Sequence, residues 1–222
     1  MAGEHQLIQP GSVPGKPDDS CRRCGTCCKK GGPCLHVDDL ALIQDGRIPI
    51  SALFTIRTGE PVWDNIRNYI SEAKEDIIKI RSIAGERTCI FFNRTQYACD
   101  AYAFRPLECR LLKCWDVRYI VDVYDQRRLS RMDFLSGNIR LLDLVAAHQE
   151  VCDYGKIGRA IKNNDMHTVE YLIRYDRAFR DLMVEKGLLD AAELDFFLGM
   201  PLSRTIRRYD IPVAEPDNEP SG

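Results

Sequence analysis

The chain has 222 residues, 45% apolar and 29% charged, with a formal net charge of -2. That length allows one large domain, or one domain with an extension, and the composition is that of a globular protein rather than a disordered or membrane-embedded one. No stretch approaches the roughly 20 apolar residues that span a bilayer, and a near-neutral balance gives no general attraction to nucleic acid or anionic lipid.

In chain order, residues 1–20 scatter Pro10, Gly11, Pro14, Gly15 and Pro17 among polar residues, without the basic and apolar regions of a secretory signal. A mobile tail is expected there and again over 212–222, and the expected location is cytoplasmic. Next come Cys21, Cys24, Cys27 and Cys28, followed by Cys34, Cys89, Cys99, Cys109, Cys114 and Cys152, so nine of the ten cysteines fall between positions 21 and 114. Persistent disulfides are rare in a reducing compartment, which makes clustered thiols metal ligands or redox groups. Arg22, Arg23, Lys29, Lys30, Arg105, Arg110 and Lys113 lie beside cysteines, where positive charge lowers thiol pKa values and offsets thiolate charge.

Short helices are expected near Asp38–Gln44 and Ser51–Ile56. A longer one should start after Pro61, because Trp63, Ile66, Ile70 and Ala73 recur at helical spacing. Alternation through Ile77, Ile78, Lys79, Ile80 and Ile83, a turn at Gly85, and the run Thr88–Phe92 suggest a hairpin that delivers Cys89. Arg105-Pro106 should break the chain and start a short helix carrying Cys109. From about Val117 the pattern is helical, with a break at Ser136-Gly137-Asn138 and apolar stripes at Leu141, Leu144, Val145 and His148 and at Val169, Leu172, Ile173, Phe179 and Met183. The expected architecture is a helix-rich α+β fold: an irregular cysteine-cluster metal-binding domain over 21–115 with a small β-hairpin, and a helical extension over 116–211 packing on it.

Two-residue spacers let Cys21, Cys24 and Cys27 point into one centre, as zinc loops and iron-sulfur loops both require, and Gly25 relaxes the backbone between them. Cys28 adjoins Cys27, and because adjacent side chains usually diverge the pair is expected to serve two centres or to place one thiol outside the ligand set. The pattern Cys21-x2-Cys24-Gly25-x-Cys27-Cys28, then Cys89-Ile90-Phe91, then Cys99-x2-Tyr102-x2-Arg105-Pro106-x2-Cys109-Arg110 closely resembles the bacterial CxxCxxCC cysteine-cluster family of zinc- or iron-chelating domain proteins. A related motif occurs in flagellin lysine methylases. The resemblance covers about residues 21–115 and implies a metal-binding core ligated from Cys21, Cys24, Cys27, Cys28, Cys89, Cys99 and Cys109. Family members often continue after the last cysteine with proline and an aromatic residue, whereas Leu112-Lys113-Cys114-Trp115 follows here.

Cys34 and Cys114 are further candidate ligands, as are His148 and Cys152, which are four residues apart and able to share a helical face. His36, just after Cys34, could replace a cysteine ligand, but it reads first as a solvent-exposed loop histidine. Tyr102 and Arg105 could hydrogen-bond to sulfur at the site but read first as packing and pairing groups, and Asp38 and Asp39 read as helix-start residues. The cofactor expected is an iron-sulfur cluster, [4Fe-4S] by loop spacing, with zinc as the alternative. Three function classes follow: a cluster-bearing redox or accessory protein with a protein partner, a zinc-stabilised interaction module, and a methyltransferase-like protein-modifying enzyme. The last lacks support in motif, since no Gly-x-Gly-x-x-Gly, phosphate loop or Ser-His-Asp pattern is present. The chain is expected not to be an enzyme by itself, nor to bind nucleic acid or membrane.

Overall fold

The computed structural model describes residues 21, 23–64, 66–113 and 115–209. The expected tails and Cys114 lie outside the described residues. The fold is α+β, with small antiparallel strand pairs in the first half and helices through the second.

After a short 3-10 turn at Cys28–Lys30, a second at Val37–Asp39 leads into α1 (Leu40–Gln44), where a helix was expected. The segment expected as a helix at Ser51–Ile56 is instead a 3-10 turn at Ile50–Ala52 running into strand β1 (Leu53–Ile56). β1 pairs antiparallel with β4 (Ile77–Ile80), Leu53 opposite Ile80 and Ile56 opposite Ile77. Branched side chains fit such a pleated surface better than a helix interior, which favours the strand. The run expected to pair with Thr88–Phe92 therefore finds its partner upstream. The anticipated hairpin survives as a bridge between Ser82 and Cys89, with Ile83 N–H donating to Thr88 O at 2.7 Å.

The largest correction falls between β1 and β4. Residues 61–73 form no helix; β2 (Pro61–Asp64) and β3 (Tyr69–Glu72) make a hairpin with Trp63 opposite Ile70. Asp64 decides the matter locally, because its Oδ1 accepts the N–H groups of Ile66 and Arg67 at 2.9 and 2.8 Å, closing a turn that Asn68 completes at φ 56°. An interval of seven places Trp63 and Ile70 together on a helix face, and a hairpin turn brings them together equally well.

A last strand pair, β5 (Phe92–Asn93) and β6 (Ala98–Cys99), precedes α2 (Leu107–Leu111), which starts after Pro106. Then follow α3 (Arg118–Val123), α4 (Arg131–Leu135), α5 (Ile139–Val151), α6 (Tyr154–Lys162), α7 (Met166–Glu185), α8 (Leu194–Phe197) and α9 (Leu202–Thr205). Side-chain caps fix several starts: Ser130 and Asp133 form a capping box on α4, and Asn138, Asp153 and Asp165 cap α5, α6 and α7. None of the described helices is long and apolar enough to cross a membrane.

The main core draws on both halves of the chain. Leu35, Leu53, Ile78, Ile80 and Cys89 pack with Leu129, Leu135, Met183, Phe196 and Leu198. Thr55 Oγ1 donates to Phe196 O at 2.6 Å across that junction. A second apolar cluster, around Tyr154, Ile157, Val169, Leu172 and Leu202, joins α6, α7 and α9.

Candidate metal centre

The cysteine loop is held over the β5–β6 hairpin and α2. Gly25 sits at φ +71°, and a Cβ there would lie 2.5 Å from the ring of Phe92, so both conformation and space demand glycine. Cys89 N–H donates to Cys28 O at 2.7 Å, fastening the loop to the chain that follows β4. α2 is placed from a distance. The fully buried Asp39 carboxylate accepts the N–H of Leu107 at 2.8 Å through one oxygen and that of His36 at 3.0 Å through the other. That capping role for a long-range acid is invisible in local spacing.

These supports converge on a cavity of about 330 Å³ lined by Cys21, Cys24, Cys27, Cys28, Cys99 and Cys109. Cys21 and Cys24 stand exposed at its rim; the other four are half-buried within it. Cys27 and Cys28 sulfurs are 3.9 Å apart, and Cys28 also reaches Cys99. Cys89 is 6% exposed and does not line the cavity; burial pushes its thiol pKa up, and the charges of Cys99 and Cys27 add to the rise. Of the seven cysteines that the family resemblance implies as ligands, six thus share one cavity and the seventh is buried outside its lining.

The electrostatics are those of crowded thiols. A hydrogen bond from Cys28 pulls Cys27 down to about 6 and Cys99 down to about 7, while the same proton is held on Cys28, whose pKa is driven far up. Burial, reinforced by the neighbouring thiolates, raises Cys109. Outside the crowd, Cys24 is lowered by a hydrogen bond from Thr26. The site therefore shares a proton among sulfurs that a multivalent cation would hold as thiolates.

Tyr102 lies between two guanidinium groups, Arg23 Cζ at 3.9 Å and Arg105 Cζ at 4.0 Å from its ring centroid, which must occupy opposite faces. Arg105 lowers the pKa of Cys27 and of Cys99, and its buried Nε has no hydrogen-bond partner among the described residues. A buried donor without an acceptor, set beside sulfur, fits a thiolate-bound metal whose sulfurs accept hydrogen bonds. The donor set is soft, and among the described residues no carboxylate lines the cavity, as zinc and iron-sulfur centres prefer.

The remaining candidates lie elsewhere. Cys34 is buried outside this cavity, with Lys79 Nζ 3.4 Å from its sulfur. His36 is also buried rather than solvent-exposed, its Nδ1 2.8 Å from Gln126 O and its Nε2 3.6 Å from Glu108 Oε1. His148 and Cys152 do come together, joined by Asp176, with ligand-type atoms within 4.8 Å of one another in the interior. That Asp176 already accepts from His148 at 2.7 Å, from Arg180 Nε at 3.1 Å and from Leu202 N–H at 2.9 Å, and Arg57 Nη1 donates to Cys152 O at 3.2 Å.

Residues 20–129 match the family model CxxCxxCC, described as "Putative zinc- or iron-chelating domain". The chain belongs, through those residues, to the CxxCxxCC family. No curated protein and no solved structure matches the chain. The matched span contains all six cavity cysteines together with Cys89, and it stops just before α4.

Proposed function

We propose that this CxxCxxCC protein holds an iron-sulfur cluster on Cys21, Cys24, Cys27, Cys28, Cys99 and Cys109, with Cys89 buried nearby, and serves a partner protein in a redox or accessory role. The observation that carries this reading is the surplus. Six cysteines around about 330 Å³ offer more thiolates and more room than one tetrahedral ion needs. Bound there, a cluster would supply one-electron exchange. The protein's own part is to supply thiolates, to set positive charge from Arg23 and Arg105 at the opening, and to keep water from the inner sulfurs with Phe92, Leu112 and Tyr102.

A zinc centre is the second reading, and one distance favours it. Zinc–sulfur bonds of about 2.3 Å place two ligands of one tetrahedral ion about 3.8 Å apart, and Cys27 and Cys28 are separated by 3.9 Å. Anaerobic purification with analysis of iron, zinc and acid-labile sulfide separates the two. Iron with sulfide and broad visible absorption is the expected result; a colourless protein with stoichiometric zinc and no sulfide overturns the cluster.

A further inference from the structure

Cys34, which does not line the sulfur cavity, lines a second and larger cleft of about 820 Å³. That volume falls within the size range of small-molecule sites. Its apolar wall is a small cluster of its own, separate from the main core: Ile56, Ala73 and Ile77, with Phe54 and Val62 packed against them. The β2–β3 hairpin forms one flank and leaves Trp63 54% and Ile70 59% exposed on the rim. Exposed cross-strand partners of that size on a hairpin ordinarily find an apolar cover.

The described lining carries seven cations and five carboxylates, and several of these are paired, while Glu72 and Glu75 stand exposed at the edge. Arg67 is tied to Asp64 at 2.6 Å and to Asp125 at 2.8 Å, Arg128 to Asp125 and the Tyr124 ring, and Arg208 to Glu60 at 2.6 Å. Lys30, Lys74 and Arg87 are exposed at the edge. Lys79 differs. It lies on the floor, bridged through the backbone to Cys34, and its ammonium donates to the Cys34 sulfur at 3.4 Å. Among the described residues no carboxylate lies within 4 Å of it. The nearest acid in the network, Glu108, commits one oxygen to Cys34 N–H at 2.8 Å and turns the other toward His36. Among the described residues, an apolar wall with a buried ammonium at its base and an excess of cations over carboxylates around it describes the complement of an amphipathic anion.

We propose that this cleft binds a small organic carboxylate, with its head group on Lys79 Nζ and its hydrocarbon body against Phe54, Ile56, Val62 and Ile77. The thiol of Cys34 then packs beside the carboxylate, and Trp63 and Ile70 close over the tail. The site is independent of the metal reading, since none of the six cavity cysteines lines it.

The test uses the 222-residue chain as purified and three eight-carbon probes: octanoate, 1-octanol and octylammonium, titrated by isothermal calorimetry with tryptophan emission as a second readout. Octanoate should bind saturably at one site and at least tenfold more tightly than octanol, with octylammonium weakest. Lys79→Gln should bring octanoate down to the affinity of octanol and leave octanol unchanged. Equal affinities for the three head groups in the unmodified protein overturn the proposal, and that comparison decides it even where the variant fails to fold. An octanoate preference that survives Lys79→Gln in a folded variant overturns the assignment equally.

Discussion

Replacing Gly25 by alanine tests how the cysteine loop is held. At φ +71° an L-residue pays about 1–2 kcal/mol for left-handed backbone. Its Cβ would also stand 2.5 Å from two carbons of the Phe92 ring, which is itself 4% exposed and therefore unable to swing into solvent. Overpacking of that kind costs about 1–3 kcal/mol. The sum is about 2–5 kcal/mol. Gly46 is the matched control, because it sits at φ +70° and a Cβ placed on it would meet nothing within 4 Å, so Gly46→Ala should cost only the backbone share of about 1–2 kcal/mol. Denaturant unfolding of both variants gives the difference, and metal content per chain reports whether Cys24, Cys27 and Cys28 have been drawn off the site. The double variant Gly25→Ala with Phe92→Ala should recover part of the metal content, since it removes the clash. Equal losses in stability for the two glycine variants, with full metal content in Gly25→Ala, would refute the argument that the loop is seated on Phe92.

Serine at Cys27 or Cys99 should lower bound metal several-fold, whereas Cys152→Ser should leave it near the unmodified value, as elemental analysis of the purified variants will show. Acid should weaken the fold through the buried His148–Asp176 pair. Burial lowers the pKa of His148, so the unfolded chain takes up that proton first and stability falls as pH drops below about 6.5. Asp176 is held down at about 2, against burial, by hydrogen bonding from His148 and the charge of Arg180, and its contribution of about 2 kcal/mol is present above pH 4 and lost as pH falls through 2. In His148→Gln the decline in unfolding free energy between pH 6.5 and 4 should be shallower than in the unmodified protein; identical slopes would remove His148 from the account.

The helices of the second half were legible because long amphipathic segments carry their own caps. Asp165 before α7 and the Ser136-Gly137-Asn138 break before α5 are local signals, and the structure uses both. Pro106 likewise announced α2. The β2–β3 hairpin was not legible, because Trp63 and Ile70 satisfy the spacing of a helix and of a folded-back ribbon alike, and the deciding Asp64 turn looks like any surface acid. β4 was readable as a strand, yet its partner was not, since β1 lies more than twenty residues upstream. At the sulfur cavity, two-residue spacing pointed to Cys21, Cys24 and Cys27 alone, and it was the family resemblance that added Cys28, Cys99 and Cys109. Neither said anything of what seats them: Phe92 beneath Gly25, or Asp39 reaching the start of α2 across 68 positions. Cys34 shows the opposite failure, a thiol of the right type and neighbourhood whose side chain faces an ammonium in another compartment.

The junction between β1 and α8 bears on how this protein can be cut. The span that matches the family ends at residue 129, but Arg81 reaches forward to Asp195 at 2.8 Å, Arg131 grips both Asp76 and Phe197 O, and the Phe196 ring fills the space behind Leu53 and Ile78. A chain trimmed to the matched residues would leave the back of the β1–β4 pair open to water. The extent of the family match and autonomy of folding are thus different boundaries here, and an expression fragment of this protein should carry its last helices along with its first cysteines.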